Sequence, residues 1–400
     1  MIQLSLFEKI DVSLPSQENS SPVRYTTLQP ILKWTGGKEK ELKYIKAFSP
    51  RSYENYYEPF VGGGSVFAAI DAKHLFINDK SDELICLYKS IACQDELFFK
   101  YIEEIIVSWD NLLQYVSENK MLCQWYKDYA DGVLTEERLL ILLNEFIQSN
   151  WERINGLISS VINWNRDIFK NELFKTFPRK FIRMKVLDER RGNMTNDDIY
   201  NNIETIIMGS FYMYMRGLYN DRSLMNSNKS LSTAVFLFIR NFAYSGMFRY
   251  NKNGDFNVPY GGIAYNHKDM RKKIQYYKSK ELLEHFSKTK IENLDFEDFF
   301  HLHVPGKDDF IFLDPPYDSE FSTYAQNEFG RNEQIRLANY LCNECKAKWQ
   351  MIIKYTPFIY ELYNKPGLFI HKFDKTYQVS FMNRNDKDVE HLIIMNYSIE

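Results

Sequence analysis

No apolar stretch in the 400 residues approaches the length of a bilayer span, and the amino terminus lacks the basic start and long apolar core of a signal peptide. The first absence excludes a membrane-crossing helix, and the two together lead us to expect a cytoplasmic place. Cysteine is scarce and odd in number: Cys86, Cys93, Cys123, Cys342 and Cys345 fit a reducing compartment better than a disulfide framework. Cys342-Asn343-Glu344-Cys345 has the spacing of half a metal site, yet it has no second pair and stands in a helix-like run from Glu333 to Trp349, so no metal is expected. Positive charge is not in excess either. With 50 Lys and Arg against 53 Asp and Glu, the net charge of −3 argues against a protein that coats nucleic acid unspecifically. Internal repeats and low-complexity tracts are absent as well.

What is present is a globular composition, 44% hydrophobic and 26% charged, in a chain long enough for two or three domains. The charge is unevenly placed. Arg240 to Lys280 holds nine Lys/Arg against two Asp, and Arg166 to Arg191 holds nine against four acids. Such clusters can neutralise phosphates, although any single one also fits a solvated helix face. Asp11 to Pro30 is polar, with three prolines, and reads as a disordered linker behind Gln3-Leu4-Ser5-Leu6-Phe7. From Ile31 strand-like and helical runs alternate, at Tyr53–Phe60, Val66–Ala72, Leu75–Ile77 and Leu84–Ile91, which is βαβ grammar. Leu97 to Asn241 is mainly helical and rich in aromatics, with capping candidates at Thr135 and Asn196, so an inserted helical domain is expected. The α/β pattern resumes near Ile291, with strands at Phe310–Leu313, Trp349–Lys354 and His391–Tyr397.

Three local constellations carry chemistry. Asp314-Pro315-Pro316-Tyr317 ends the apolar run Phe310–Leu313, so a carboxylate, two rigid imino acids and an aromatic ring stand at the carboxyl end of a buried strand, where α/β sheets place their ligands. Glu58-Pro59-Phe60-Val61-Gly62-Gly63-Gly64 follows a β-rich run and precedes a helical one; its glycines permit close backbone approach, without the full dinucleotide or phosphate-loop spacing. Asn78-Asp79 follows the next short strand, where an acid can accept hydrogen bonds from ribose hydroxyls.

Taken together these segments resemble the Dam-like DNA adenine methyltransferases, in which a cofactor motif precedes the recognition domain and Asp-Pro-Pro-Tyr follows it. Ile31–Lys38 resembles the family's amino-terminal cofactor motif and Glu58–Phe67 its glycine motif, while Asp79 matches the ribose acid and Asp295-Phe296 the position that holds the cofactor adenine. Phe236–Gly262 is similar to its DNA-contacting β-hairpin, and Thr356–Tyr363 with Glu390–Tyr397 resembles its closing strand and hairpin. The resemblance implies a Rossmann-like, S-adenosylmethionine-dependent α/β sheet with an inserted, mainly helical recognition domain that carries the hairpin. The expected organisation is a tail at 1–30, a catalytic domain at 31–95 and 286–400, and a target-recognition domain at 96–285. Residues Glu96 to Ile239 match only loosely, and Ala243-Tyr244-Ser245-Gly246 stands where the family has Phe-Asn-Gly, which leaves the target sequence open.

The implied reaction is methylation of the exocyclic amino group of a flipped adenine in double-stranded DNA. Asp314 and the Pro315 carbonyl would accept the amino hydrogens, Pro316 would stiffen the turn, and Tyr317 would stack on the base. The cofactor is expected at Lys33, Trp34, Gly36, Gly37, Lys38, Phe60, Gly62, Gly64, Asp79, Asp295 and Phe296. DNA contacts are expected from Arg249, Asn251 and Lys252 around an Asn-Gly turn, with Lys268, Arg271 and Lys272 on phosphates. Gln3, Leu4, Leu6 and Phe7 resemble the peptide that bacterial replication proteins insert into the sliding clamp. Two rivals stand beside this reading: cytosine amino methylation, whose enzymes more often carry Ser in place of Asp314, and a non-catalytic DNA-binding module that keeps the fold.

Overall fold

The computed structural model describes residues 25–34, 36–162, 164–192, 194–316, 329–376 and 388–399. The chain divides into two compact units, one running to Tyr88 and resuming at Lys280, the other Lys89–Ser279.

In the first unit, short β-branched and aromatic runs form β1 (Asn55–Glu58), β2 (His74–Asn78), β3 (Thr289–Glu292), β4 (Phe310–Leu313), β5 (Lys348–Lys354), β6 (Phe369–Thr376) and β7 (Asp388–Met395). They make one sheet in the order β3-β2-β1-β4-β5-β7-β6. β1 to β5 run parallel, and β7 lies antiparallel between β5 and β6. All four residues of β4 are buried, because a central parallel strand is covered on both faces and so shows no alternation. Chain order reverses direction between β1 and β4, which pair directly through Tyr56 with Phe310 and Tyr57 with Ile311. That junction is the topological switch point, and ligands of open α/β sheets bind beyond the carboxyl ends of the strands there.

Two local expectations in this unit are corrected. The helical run at Glu333 stops at Asn343, and Trp349 lies inside β5, fully buried, with its indole N–H on the Leu341 carbonyl. Thr356–Tyr363, expected as a closing strand, is a helix from Pro357 to Tyr363. The Thr356 hydroxyl accepts the Ile359 N–H, and proline at the first helical position needs no donor of its own. β6 and β7 do pair as an antiparallel hairpin.

The second unit is built from helices, the longest being Glu96–Glu118, Glu136–Gly156, Arg166–Arg191 and Asn196–Asn220. Trp109, Phe211, Phe238 and Phe242 interlock at its centre with ring centroids 4.4–6.1 Å apart. Thr135 caps its helix as expected, accepting the Arg138 N–H. The other cap is Thr195, one residue before the expected Asn196: its hydroxyl accepts the Asp198 N–H while the Asp198 carboxylate takes the Thr195 N–H, a reciprocal box that Asn196 has no partner to form. Among the described residues no helix is long and apolar enough to cross a membrane.

Candidate active site

Four neighbouring parallel strands deliver the chemical residues at their carboxyl ends. Pro59-Phe60-Val61-Gly62 follows β1, Asp79 follows β2, Asp295 stands three residues beyond β3, and Asp314 follows β4. Asn78 ties three of these ends together. Fully buried, it donates to the Pro59 and Leu294 carbonyls and accepts the Leu294 N–H at 2.8 Å.

Asp314 is met by Lys38 from the other side of the sequence. Lys38 is 2% exposed, and its ammonium donates to the Gly36 carbonyl at 2.7 Å and to Asp314 Oδ2. The turn from Trp34 is closed by the Gly37 N–H on the Trp34 carbonyl, which aims Lys38 inward. A cation this deep needs a carboxylate, and that carboxylate is in turn held in one orientation. Pro315 is buried, and the Pro316 carbonyl accepts from Gln334 Nε2 at 2.9 Å. Tyr317 lies outside the described residues.

The glycine segment is shaped by contact. A Cβ on Gly63 would lie 2.1 Å from the Leu32 carbonyl oxygen and 2.9 Å from Trp34 Cβ, so only glycine fits. Gly63→Ala is expected to destabilise the protein by about 2–3 kcal/mol or more through this overlap with backbone, read as a lower urea midpoint. An unchanged midpoint would show that Leu32 moves away freely. Trp34 packs on Gly62, Lys33 is exposed, and Tyr88 donates its hydroxyl to the Gly62 carbonyl at 3.0 Å.

Asp79 and Asp295 are both pre-set by backbone donors. Asp79 Oδ2 accepts the Gly62 N–H and Oδ1 the Ser81 N–H, each at 2.9 Å; burial still raises its pKa against these bonds. Asp295 caps the helix Phe296–Leu302, its Oδ1 accepting the Glu297 N–H at 3.1 Å and Arg336 Nη2 at 2.8 Å. Phe296 is buried and forms an apolar wall with Phe60 and Phe329, at centroid distances of 5.4–5.9 Å.

Sequence reasoning counts Glu58, the last residue of β1, in the glycine motif but gives it no role of its own. It is 2% exposed and accepts the Tyr56 hydroxyl at 2.7 Å. Burial raises its pKa well above 4.5, with the nearby charge of Asp314 adding to the rise and the Tyr56 bond opposing it. The folded protein therefore binds a proton at Glu58 that the unfolded chain has released. The stability this gives is complete below about 4.5 and is lost as pH rises toward the folded value, by at most about 1.4 kcal/mol per pH unit. Glu58→Gln is expected to flatten that decline when urea midpoints are compared between pH 5 and 8. Parallel declines in both proteins would place the titrating group elsewhere.

In the second unit the expected hairpin is a narrow ribbon, with a bridge from Tyr250 to Phe256. Its turn is a three-residue loop closed by the Gly254 N–H on the Asn251 carbonyl and the Asn251 N–H on the Asp255 carbonyl. Gly254 alone in this loop takes positive φ, +81°, where a two-residue Asn-Gly turn would need it at Asn253 as well. Asn251 spends its side chain on this turn, accepting the Asn253 and Asp255 N–H groups and donating to Asp255. Arg249 and Lys252 are exposed, with Arg249 Nε donating to Asn257 at 2.9 Å. Lys268 donates to the Asn241 carbonyl, Arg271 pairs with Asp110, and Lys272 is exposed. Asn220 anchors the ribbon by exchanging two hydrogen bonds with the Phe256 backbone.

Comparison with known proteins bears on this geometry. A family model described as D12 class N6 adenine-specific DNA methyltransferase matches residues 34–156 and 159–379. Type II methyltransferase M.CviBI of Paramecium bursaria Chlorella virus NC1A is 25% identical over 376 residues, covering 92% of this chain and 100% of that protein. Type II methyltransferase M.MjaIII of Methanocaldococcus jannaschii is 25% identical over 92% of this chain and 99% of its own. A DNA adenine methylase of Haemophilus influenzae is 33% identical over 141 residues, 32% of this chain and 46% of its own.

Proposed function

This chain belongs to the D12 class N6 adenine-specific DNA methyltransferase family, and we propose that it methylates a flipped-out adenine at a specific DNA site, using S-adenosylmethionine, in the pocket where β1 meets β4. Membership of an adenine-specific family sets aside the cytosine reading. The observation that carries the proposal is Asp314 at the carboxyl end of β4, oriented by the buried Lys38.

An adenine amino group is a poor nucleophile because its lone pair is delocalised into the ring. Acceptors on both of its hydrogens draw the nitrogen toward tetrahedral geometry. Asp314 and the Pro315 carbonyl supply them, and two successive prolines hold both still without offering competing N–H donors. Tyr317 is proposed to stack on the base, replacing part of the stacking that the base gives up on leaving the duplex.

The residues beside this turn fit the cofactor. Asp295 Oδ1 is committed to Glu297 and Arg336, while Oδ2 has no partner among the described residues and can accept an adenine amino group. Asp79, fixed by two backbone N–H groups, can accept from ribose hydroxyls, and Phe60, Phe296 and Phe329 give a flat apolar wall. Trp34 against Gly62, with Gly36, Gly37 and Gly64, shapes the rest. Bound there, S-adenosylmethionine would supply the electrophilic methyl group, and no metal is called for.

For DNA, the exposed Arg249, Lys252 and Lys272 support direct contact. Asn251 is assigned to the turn, and Lys268 and Arg271 would leave Asn241 and Asp110 to meet phosphates. Gln3, Leu4, Leu6 and Phe7 lie outside the described residues; we propose that they engage a sliding clamp, and capture by the clamp that survives Leu6→Ala with Phe7→Ala would end that idea.

The deciding experiment is expression in a host free of DNA methylation, followed by single-molecule sequencing. Modified adenines confined to one sequence, and lost with Asp314→Ala, are expected. Modification that is absent, scattered, or retained in the variant defeats the proposal.

A further inference from the structure

We propose that the helix Arg331–Asn343 positions both half-sites, Gln334 setting the catalytic turn and Arg336 setting the acid for the cofactor adenine. The inference rests on the reading above and goes beyond it by assigning two positioning residues, neither of which touches a reacting atom.

Pro315 and Pro316 both lack an N–H, so the backbone of these two residues can be held only by its carbonyls. Gln334 is fully buried and grips one of them, donating from Nε2 to the Pro316 oxygen at 2.9 Å. A carbonyl only accepts, so the orientation of the amide is forced. Its Oε1 is then buried with no hydrogen bond among the described residues. That is a cost which leucine or methionine of similar size would not carry. What the amide offers in return is the bond to Pro316, which fixes the turn and keeps that carbonyl from competing with Pro315 for the amino group.

Arg336 acts one half-turn further along the same helix. Its Nη2 donates to Asp295 Oδ1 at 2.8 Å and to Glu297 Oε2 at 2.5 Å, and its guanidinium lies 5.0 Å from the centroid of Phe296. With Oδ1 held from two sides, the direction of Oδ2 is set. One rigid helix thus fixes the acceptors proposed for the target amino group and the one proposed for the cofactor amino group.

The test uses the full chain, S-adenosylmethionine binding by calorimetry, and methylation kinetics on unmodified genomic DNA. Gln334→Leu is expected to lower kcat about tenfold or more while cofactor affinity stays unchanged. Gln334→Glu should match it at pH 8 and regain turnover as pH falls, because a neutral carboxylic acid can again donate to Pro316 while leucine cannot. Arg336→Leu should weaken cofactor binding about tenfold and keep most of kcat at saturating cofactor. Three results would overturn the proposal: wild-type kcat in Gln334→Leu, no recovery of Gln334→Glu at low pH, or declines of kcat and affinity that run together in both positions. A wild-type chain that neither binds S-adenosylmethionine nor methylates DNA would instead sink the function on which the proposal rests.

Discussion

Replacing Asp314 with alanine is expected to lower kcat by about 10²–10³-fold while leaving cofactor affinity unchanged, since the missing acceptor is the one proposed for the reacting nitrogen and not for the cofactor. The asparagine variant should be no better, although its side chain is nearly the same shape. Lys38 carries three donors and no acceptor, and it already bonds Asp314 Oδ2. With asparagine it would take the amide oxygen and turn the NH2 group toward the pocket, where it would face the donors of the target amino group. Single-turnover rates on unmodified DNA, with cofactor binding measured in parallel, decide the matter. An asparagine variant with near wild-type turnover would mean that Asp314 is not the acceptor.

The second large effect belongs to Lys38. Its side chain is 3% exposed and that of Asp314 21%, so the pair is more than a surface ion pair yet short of full burial. Fully buried pairs lose about 3–5 kcal/mol when one partner is removed. The residual exposure of Asp314 brings the expectation for Lys38→Met to about 2–3 kcal/mol in urea unfolding, with little salt dependence. Turnover should fall about 10- to 100-fold as the carboxylate loses its orientation. A double-mutant cycle with Asp314→Leu checks the mechanism, because the second change removes the charge that the first left stranded. Coupling of about 1–3 kcal/mol is expected, and additive effects would show that the two groups act independently.

Legibility in the sequence varies by element. β4 is readable at its full length, Phe310–Leu313, since an apolar run stopped by a proline pair is a local signal. The helix Pro357–Tyr363 runs against the strand that family resemblance implies, although Thr356-Pro357 is itself a good local helix start. Thr195 differs from the expected cap by one residue because the deciding partner, Asp198, stands three positions on. Glu58 carries no local mark of a role, as nothing in its neighbourhood says that a strand-end glutamate is fully buried. Gln334 and Arg336 read as ordinary polar helix residues, and only their partners at Pro316 and Asp295 set them apart.

The sequence by itself determined the strand and helix runs, the glycine turn, the rigid acceptors of Asp314-Pro315-Pro316 and their family resemblance, because each depends on residues adjacent in the chain. Tertiary structure alone decided that β1 lies beside β4, that Lys38 meets an aspartate 276 positions away, and that one helix serves both proposed half-sites. Those choices depend on strand order and on which buried charge finds which partner. Periodicity and propensity report what a segment forms; burial and pairing energies between distant segments fix what it touches.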